Sequence, residues 1–372
     1  MTSQSTESSA RRFLVFIIGT RAQLIKVAPV IIACEKMELP LCMLMTGQHQ
    51  ETMDDLIVEF GIRTHPTMAL QAKERATMGS LLRWLPSAYL GIRACLRQLK
   101  TRFSNIDVIV HGDTLSTVLG AFVGWCSGAR VIHLESGLTS RKLFDPFPEE
   151  ISRRVVFLLA RVAMCPNPSA VEYMRRHHRC EVVNTFGNTI LDSVAIVGAS
   201  AVPRNREPSY FVVSLHRFQN IYDGARLREL VGLIEAISAI YPVHFVLHPA
   251  TRKRLVKEQL LNRLEHAAGV VLSPRLGYGD FLRMAAGAAC VLTDGGSNQE
   301  ELAALGIPTV VMRAATERPD GLGANVLMEG DVVGGLKAFI LDGKFRSLAV
   351  PCAVMNEEGP SRRVAHFLAN QP

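Results

Sequence analysis

Acids and a histidine stand at the ends of apolar runs in this chain, in a pattern suited to proton transfer. "VIHLESGLTS" (131–140) ends an apolar run in Glu135 and a turn, and "FPEEISRR" (147–154) then opens a helix with Glu149 and Glu150. "HGDT" leaves Asp113 between a strand and a helix, where its plain structural role is an N-cap. "LHRFQN" leaves His216 at the tip of another strand. A lone histidine is more often structural than catalytic. Asp113, Glu135, Glu149 and His216 taken together shift that balance, because neighbouring carboxylates push one another's pKa values apart, as general acid–base work requires.

Two further runs suit an anion. In "GTRAQLIK" (19–26) a glycine closes a strand, Arg21 follows at the turn, and Lys26 lies about a turn and a half into the next helix. Backbone N–H groups at a helix start beside a cation favour phosphate. The run lacks G-x-G-x-x-G, so it carries no dinucleotide fingerprint. In "CVLTDGGSNQEE" (290–301) Gly295 and Gly296 let the backbone approach a ligand, and the amides up to Ser297 can hold a diphosphate ahead of a helix expected to open at Asn298. Glu301 is placed to accept hydrogen bonds from a ribose diol. "LHPATRKRL" contributes His248, and the loop "ATERPDG" contributes Glu317 and Arg318. His177 and His178 are adjacent on an expected helix end and point apart, so no metal site is expected there.

These positions need strands to carry them. The apolar runs 13–19, 41–47, 108–113, 131–137 and 162–165 read as buried parallel strands, with helices at 22–37, 51–60, 76–102 and 114–127. A small, proline-bearing stretch at 197–209 marks a linker or domain edge, and the pattern restarts with runs at 210–216, 243–249, 270–274, 290–296 and 309–313. The expectation is two doubly wound α/β domains with a cleft between them and the functional groups beyond the strands' carboxyl ends.

Bulk composition agrees. The chain has 372 residues, 48% of them hydrophobic and 20% charged, enough for two packed cores. The net charge of +7 admits an anionic ligand, but the arginines are scattered, which disfavours nucleic acid. Eight cysteines without a C-x-x-C pair read as reduced thiols of a cytoplasmic protein. No stretch reaches the ~18 apolar residues of a membrane helix, and "FLVFII" is too short for a signal peptide's apolar region. The stretch 78–102 reads as a core helix with an arginine-rich outer face.

In this order, "GTRAQLIKVAPVI", "TGQHQETMDDLIVEFGI", "HGDTLST", "HLESGL", "PFPEEISRR", "GNTILD", "SLHRFQN", "LTDGGSNQEE" and "TERPDG" resemble the UDP-N-acetylglucosamine 2-epimerase family, from about residue 13 to about 330. The resemblance implies the glycosyltransferase-B-like fold: a tail at 1–12, Rossmann-like domains at 13–200 and 201–355, the latter binding UDP, and a helix at 356–372 packing back on the first. It implies inversion at C2 of a UDP-2-acetamido sugar by elimination and re-addition of UDP, without cofactor or metal, in a homodimer feeding surface polysaccharide synthesis. Asp113, Glu135 and Glu149 would be the acid–base carboxylates, His216 and Arg21 would serve the diphosphate, Gly296 and Ser297 its oxygens, and Glu301 the ribose. The alternatives on this fold are a hydrolysing 2-epimerase and a UDP-sugar glycosyltransferase.

Departures from the family pattern bear on substrate contacts. Gln23 stands for an acid, Phe218 and Gln219 for an arginine and an acid, and Thr139 for a cation; the hydroxyl of "GGS" is moved two places, and 71–90 lacks the usual pattern. Gln48 and His49 retain part of a site through which a second UDP-sugar activates some bacterial members.

Overall fold

The computed structural model describes residues 12–48, 53–70, 78–141, 148–199, 202, 210–316, 319–352 and 358–371. The expectations placed on the N-terminal tail, Phe147, His49, Glu317, Arg318 and most of the linker lie outside the described residues. The chain forms two compact units, one within Met1–Ser193 and Asn356–Pro372, the other within Val194–Met355.

The first unit holds a seven-stranded, all-parallel sheet in the order β3-β2-β1-β4-β5-β6-β7. Its strands are β1 (Phe13–Ile18), β2 (Leu41–Met45), β3 (Pro66–Met68), β4 (Ile106–His111), β5 (Arg130–Leu134), β6 (Val162–Cys165) and β7 (Glu181–Asn184). Every residue of β1 and β4 is buried, because helices cover both faces of the sheet. Those helices are α1 (Arg21–Lys36), α2 (Asp54–Phe60), α3 (Met78–Lys100), α4 (Leu115–Cys126), α5 (Glu149–Leu159) and α6 (Pro168–His177). On α3, Trp84, Ala88, Ile92 and Leu96 recur at helical spacing and are buried, while Arg83, Arg93 and Arg97 face solvent. Helix α7 (Ile190–Ile196) carries the chain into the second unit.

The second sheet is also parallel, in the order β10-β9-β8-β11-β12-β13. It comprises β8 (Phe211–Ser214), β9 (Val243–Leu247), β10 (Val270–Pro274), β11 (Cys290–Thr293), β12 (Thr309–Val311) and β13 (Val326–Met328). Helices α8 (Phe218–Ile221), α9 (Gly224–Ser238), α10 (Pro249–Lys257), α11 (Leu261–His266), α12 (Tyr278–Ala286), α13 (Gly296–Leu305) and α14 (Leu336–Leu341) accompany them. The last helix, α15 (Pro360–Ala369), belongs to the first unit and packs on α1. There Asp192 of "GNTILD" accepts the Ser361 amide at 2.7 Å, which caps the start of α15.

Both sheets reverse direction between two central strands, β1 and β4 in the first and β8 and β11 in the second. In open parallel sheets the crevice at such a reversal is where polar groups collect. Among the described residues no helix is long and apolar enough to cross a membrane.

Candidate functional site

In the first unit the loops after β1, β4 and β5 and the start of α5 bring their acids and cations together. Asp113 follows β4 directly after Gly112, whose φ of 69° suits only a residue free of Cβ strain. Its carboxylate pairs with Arg153 of α5 at 2.6 Å. Burial raises the Asp113 carboxyl above its ordinary range; Arg153 opposes this, while the nearby charges of Glu135 and Glu149 add to it. Asp113, Glu135 and Glu149 therefore form one electrostatic cluster.

Glu135 ends β5 in the left-handed region, at φ 61°, an uncommon conformation for a non-glycine residue. Its Oε2 receives Lys26 Nζ at 2.8 Å and lies 3.2 Å from His111 Nε2. Lys26 is 5% exposed, so this cation faces a carboxylate within the fold. Arg21 makes a bidentate pair with Asp55 of α2, at 2.6 and 2.5 Å, and holds the Asp55 carboxyl below its ordinary range. The two acids of "PEE" part company. Glu150 is fully buried and holds the preceding loop, accepting from the Thr139 hydroxyl and, at 3.1 Å, the Ser140 amide; Arg154 pairs with it at 3.0 Å. Glu149 points elsewhere, and its Oε2 is buried with no hydrogen-bond partner among the described residues.

Gln23, standing where an acid was expected, ties two of these loops together. Its Oε1 accepts the Gly19 amide at 2.8 Å and the Thr20 amide at 3.2 Å. Its Nε2 donates to the His111 carbonyl, Thr114 Oγ1 and Thr117 Oγ1, at 2.9, 3.0 and 2.8 Å. A carboxylate has no hydrogen to supply to that carbonyl, so the amide at this position suits the loop packing. Gln48 is 8% exposed and accepts from the Ser116 amide at 3.1 Å, joining the β2 loop to α4.

In the second unit the organiser is Asp294, which the motif contained but which sequence reasoning did not single out. It is fully buried after β11 and accepts the amides of His216 and Arg217 at 3.0 and 2.9 Å and Asn220 Nδ2 at 2.9 Å. His216 Nδ1 stands 3.1 Å from its Oδ1. Burial alone would raise the Asp294 carboxyl, but the hydrogen bonds from His216 and Asn220 outweigh it and hold it below its ordinary range. His216 thus has one ring nitrogen anchored while its side chain stays 40% exposed. Its ring centroid is 5.5 Å from that of His248, whose Nδ1 accepts the Ala250 amide and caps α10.

Helix α13 begins at Gly296, two residues before the expected opening at Asn298, so Gly295 is the N-cap and Gly296 and Ser297 lie in the first turn. The glycine N-cap makes no side-chain hydrogen bond to the helix start. Glu301 lies in the second turn and is only 2% exposed. Among the described residues no cluster of acids, cysteines and histidines could hold a metal ion.

Two parallel α/β units, each with its polar residues at the strands' carboxyl ends, define the glycosyltransferase-B type of architecture. The solved UDP-GlcNAc 2-epimerase of Methanocaldococcus jannaschii matches it with a TM-score of 0.76 at 25% identity, over 96% of this chain and 100% of that one. A second structure of that enzyme, in complex with UDP-GlcNAc and UDP, gives 0.72 at 25% identity over the same shares. In sequence, the UDP-N-acetylglucosamine 2-epimerase from that organism is 30% identical over 333 residues, 85% of this chain and 88% of the relative. The pattern of the family described as UDP-N-acetylglucosamine 2-epimerase matches residues 33–338. The chain belongs to this family, and it is an enzyme of the isomerase class.

Proposed function

We propose that the protein inverts C2 of a UDP-2-acetamido sugar, UDP-N-acetylglucosamine or a close analogue, by elimination and re-addition of UDP. The observation that carries this reading is the meeting of Asp113, Glu135 and Glu149, from three separate elements, in one cluster. A carboxylate takes the proton from C2; the C2–H electron pair forms the C1–C2 double bond; the C1–O bond breaks and UDP leaves with the C1–O electron pair. Re-addition returns UDP to C1 while a carboxylic acid delivers a proton to the opposite face of C2. Glu149, whose buried Oε2 has no partner among the described residues, is the group we assign to a substrate proton. Asp113, whose carboxyl is raised, suits the protonated partner. Glu135, held by Lys26, keeps the charge of the cluster in place.

The UDP falls to the second unit in this reading. The α13 start with Gly295, Gly296 and Ser297 takes the diphosphate, His216 assists its departure, and Glu301 holds the ribose. We place the reaction in the cytoplasm as a supply step for surface polysaccharide; the free thiols support a reducing compartment. We also propose a homodimer formed through the first unit. Tyr89 and Phe122, with ring centroids 6.2 Å apart, continue to Trp125 at 6.4 Å, and Phe122 and Trp125 are 42% and 56% exposed, an apolar surface suited to a partner copy. Sedimentation velocity tests that assembly. The reaction is tested by incubating the protein with UDP-N-acetylglucosamine and related UDP-acetamido sugars and resolving products by NMR. A new 2-epimeric UDP-sugar is expected; free UDP with reducing sugar as the only products would replace the reading with a hydrolase.

A further inference from the structure

A buried histidine that the proposed chemistry leaves unused touches all three carboxylate-bearing elements. His133 lies in β5 with no exposure. Its Nε2 is 2.8 Å from the carbonyl of Gly112, the residue before Asp113. Its Nδ1 is 3.1 Å from Oγ of Ser136, the residue after Glu135. Its ring centroid stands 5.6 Å from that of Phe157, itself buried on α5, the helix that Glu149 opens.

A carbonyl oxygen can only accept, so Nε2 carries the hydrogen; a neutral ring then leaves Nδ1 to accept from the Ser136 hydroxyl. Burial keeps the ring neutral, bringing its pKa to about 4. The two turns it joins both use left-handed backbone, at Gly112 and at Glu135, with φ of 69° and 61°. Such conformations persist only where the surroundings over-determine them. Backbone bonds from Gly112 N to the Leu134 carbonyl at 3.2 Å and from Ser136 N to the Met164 carbonyl at 2.9 Å complete the frame.

We propose that His133 is a positioning residue, which sets the spacing of Asp113, Glu135 and Glu149 through its Gly112 bond, its Ser136 bond and its packing on Phe157. The inference rests on the epimerase reading above. An acid–base group misplaced by about 1 Å costs on the order of 10²-fold in rate. His133→Phe keeps the ring packing and removes both polar bonds; His133→Gln keeps a donor and an acceptor.

The test measures kcat and KM for C2 exchange in D₂O, UDP affinity by calorimetry, and the imidazole ¹⁵N spectrum of the wild type. His133→Phe should lower kcat about 10²-fold with KM and UDP affinity within about threefold, and His133→Gln should recover at least about tenfold of that loss. The spectrum should show a neutral ring protonated at Nε2 at pH 7, which decides the matter if His133→Phe fails to fold. A folded His133→Phe with kcat within about threefold of wild type, or a ring protonated at Nδ1, overturns the inference. A wild type that leaves C2 untouched overturns the epimerase reading and this inference with it; exchange by both proteins at equal rates overturns this inference alone.

Discussion

Replacing Lys26 by Met removes the cation from an enclosed ion pair of the candidate site. The Lys26 and Glu135 side chains are 6% and 9% exposed and 2.8 Å apart. At that distance two unit charges attract by about 6 kcal/mol at an effective dielectric near 20. Much of this only offsets desolvation, so the measurable effect is the cost of leaving the Glu135 charge in place without that cation, at most about 3–5 kcal/mol for a buried pair that loses one member. The Arg21–Asp55 pair is as short, but Asp55 is 54% exposed, so Asp55→Asn should cost under about 1 kcal/mol. Both tryptophans, Trp84 and Trp125, lie in the first unit, so their fluorescence reports its unfolding selectively. In urea titrations followed this way Lys26→Met should lose up to about 3–5 kcal/mol, with a melting temperature lower by roughly 10 °C. Adding Glu135→Gln should recover more than half the loss, because the remaining side chain is then neutral. A Lys26→Met variant no less stable than Asp55→Asn would refute the reasoning, as would a double variant no better than the single one.

Three further outcomes follow from the geometry. The folded His133 ring has a pKa near 4 against an ordinary 6.5, so the unfolded chain takes up this proton first as pH falls. That stabilisation is complete above about pH 6.5 and lost toward pH 4, by roughly 2 kcal/mol at pH 5, and His133→Phe should lack this part of the slope in urea titrations at stepped pH. Asp294→Asn replaces one accepting oxygen by an amide N–H that faces the His216 amide and should destabilise the second unit by about 2–3 kcal/mol in calorimetry, with at least about tenfold lower turnover. Glu301→Ala should weaken UDP binding at least about tenfold while kcat stays within about threefold, since a ribose contact is shared by ground and transition states; unchanged calorimetric affinity removes Glu301 from the nucleotide site.

Long apolar runs made the central strands legible: β1 is six apolar residues in a row, and β4 and β5 are apolar but for Asp107, His111, Arg130 and His133. Three edge strands, β3, β7 and β13, escaped, whereas the edge strand β10 was legible as the run 270–274. β3 and β7 are three and four residues long and partly exposed, so neither an apolar run nor a clear alternation marks them. β13 is equally short, at three residues, and offers too few positions for a pattern. Glycines signal a loop, so the sequence points to an α13 start at Asn298, although Gly296 occupies the first helical turn. Asp113 and Glu135 were legible as acids at strand ends. Their partners were not: Lys26 meets Glu135 across 109 positions of sequence, and only the fold pairs them. Adjacent acids on a helix point about 100° apart, and only the packing reveals that Glu150 turns to the Thr139 loop and Glu149 does not. Gln23 looked like a lost acid because its role, an amide bridging two loops, leaves no local signal. His133 and Asn220 were hidden for the same reason, one inside a strand run and the other inside a motif read for its histidine.

The central claim is that a carbon-bound proton moves through the Asp113, Glu135 and Glu149 cluster. Its most direct test is deuterium entry at C2 of the UDP-sugar in D₂O, followed by NMR for the wild type and for Asp113→Asn, Glu135→Gln and Glu149→Gln. The account predicts C2 deuteration with the C1–diphosphate linkage retained in the products, slowed by about 10²-fold or more in each variant while UDP still binds. Tight UDP binding without C2 exchange for any UDP-acetamido sugar, or wild-type exchange by Glu149→Gln, would contradict it.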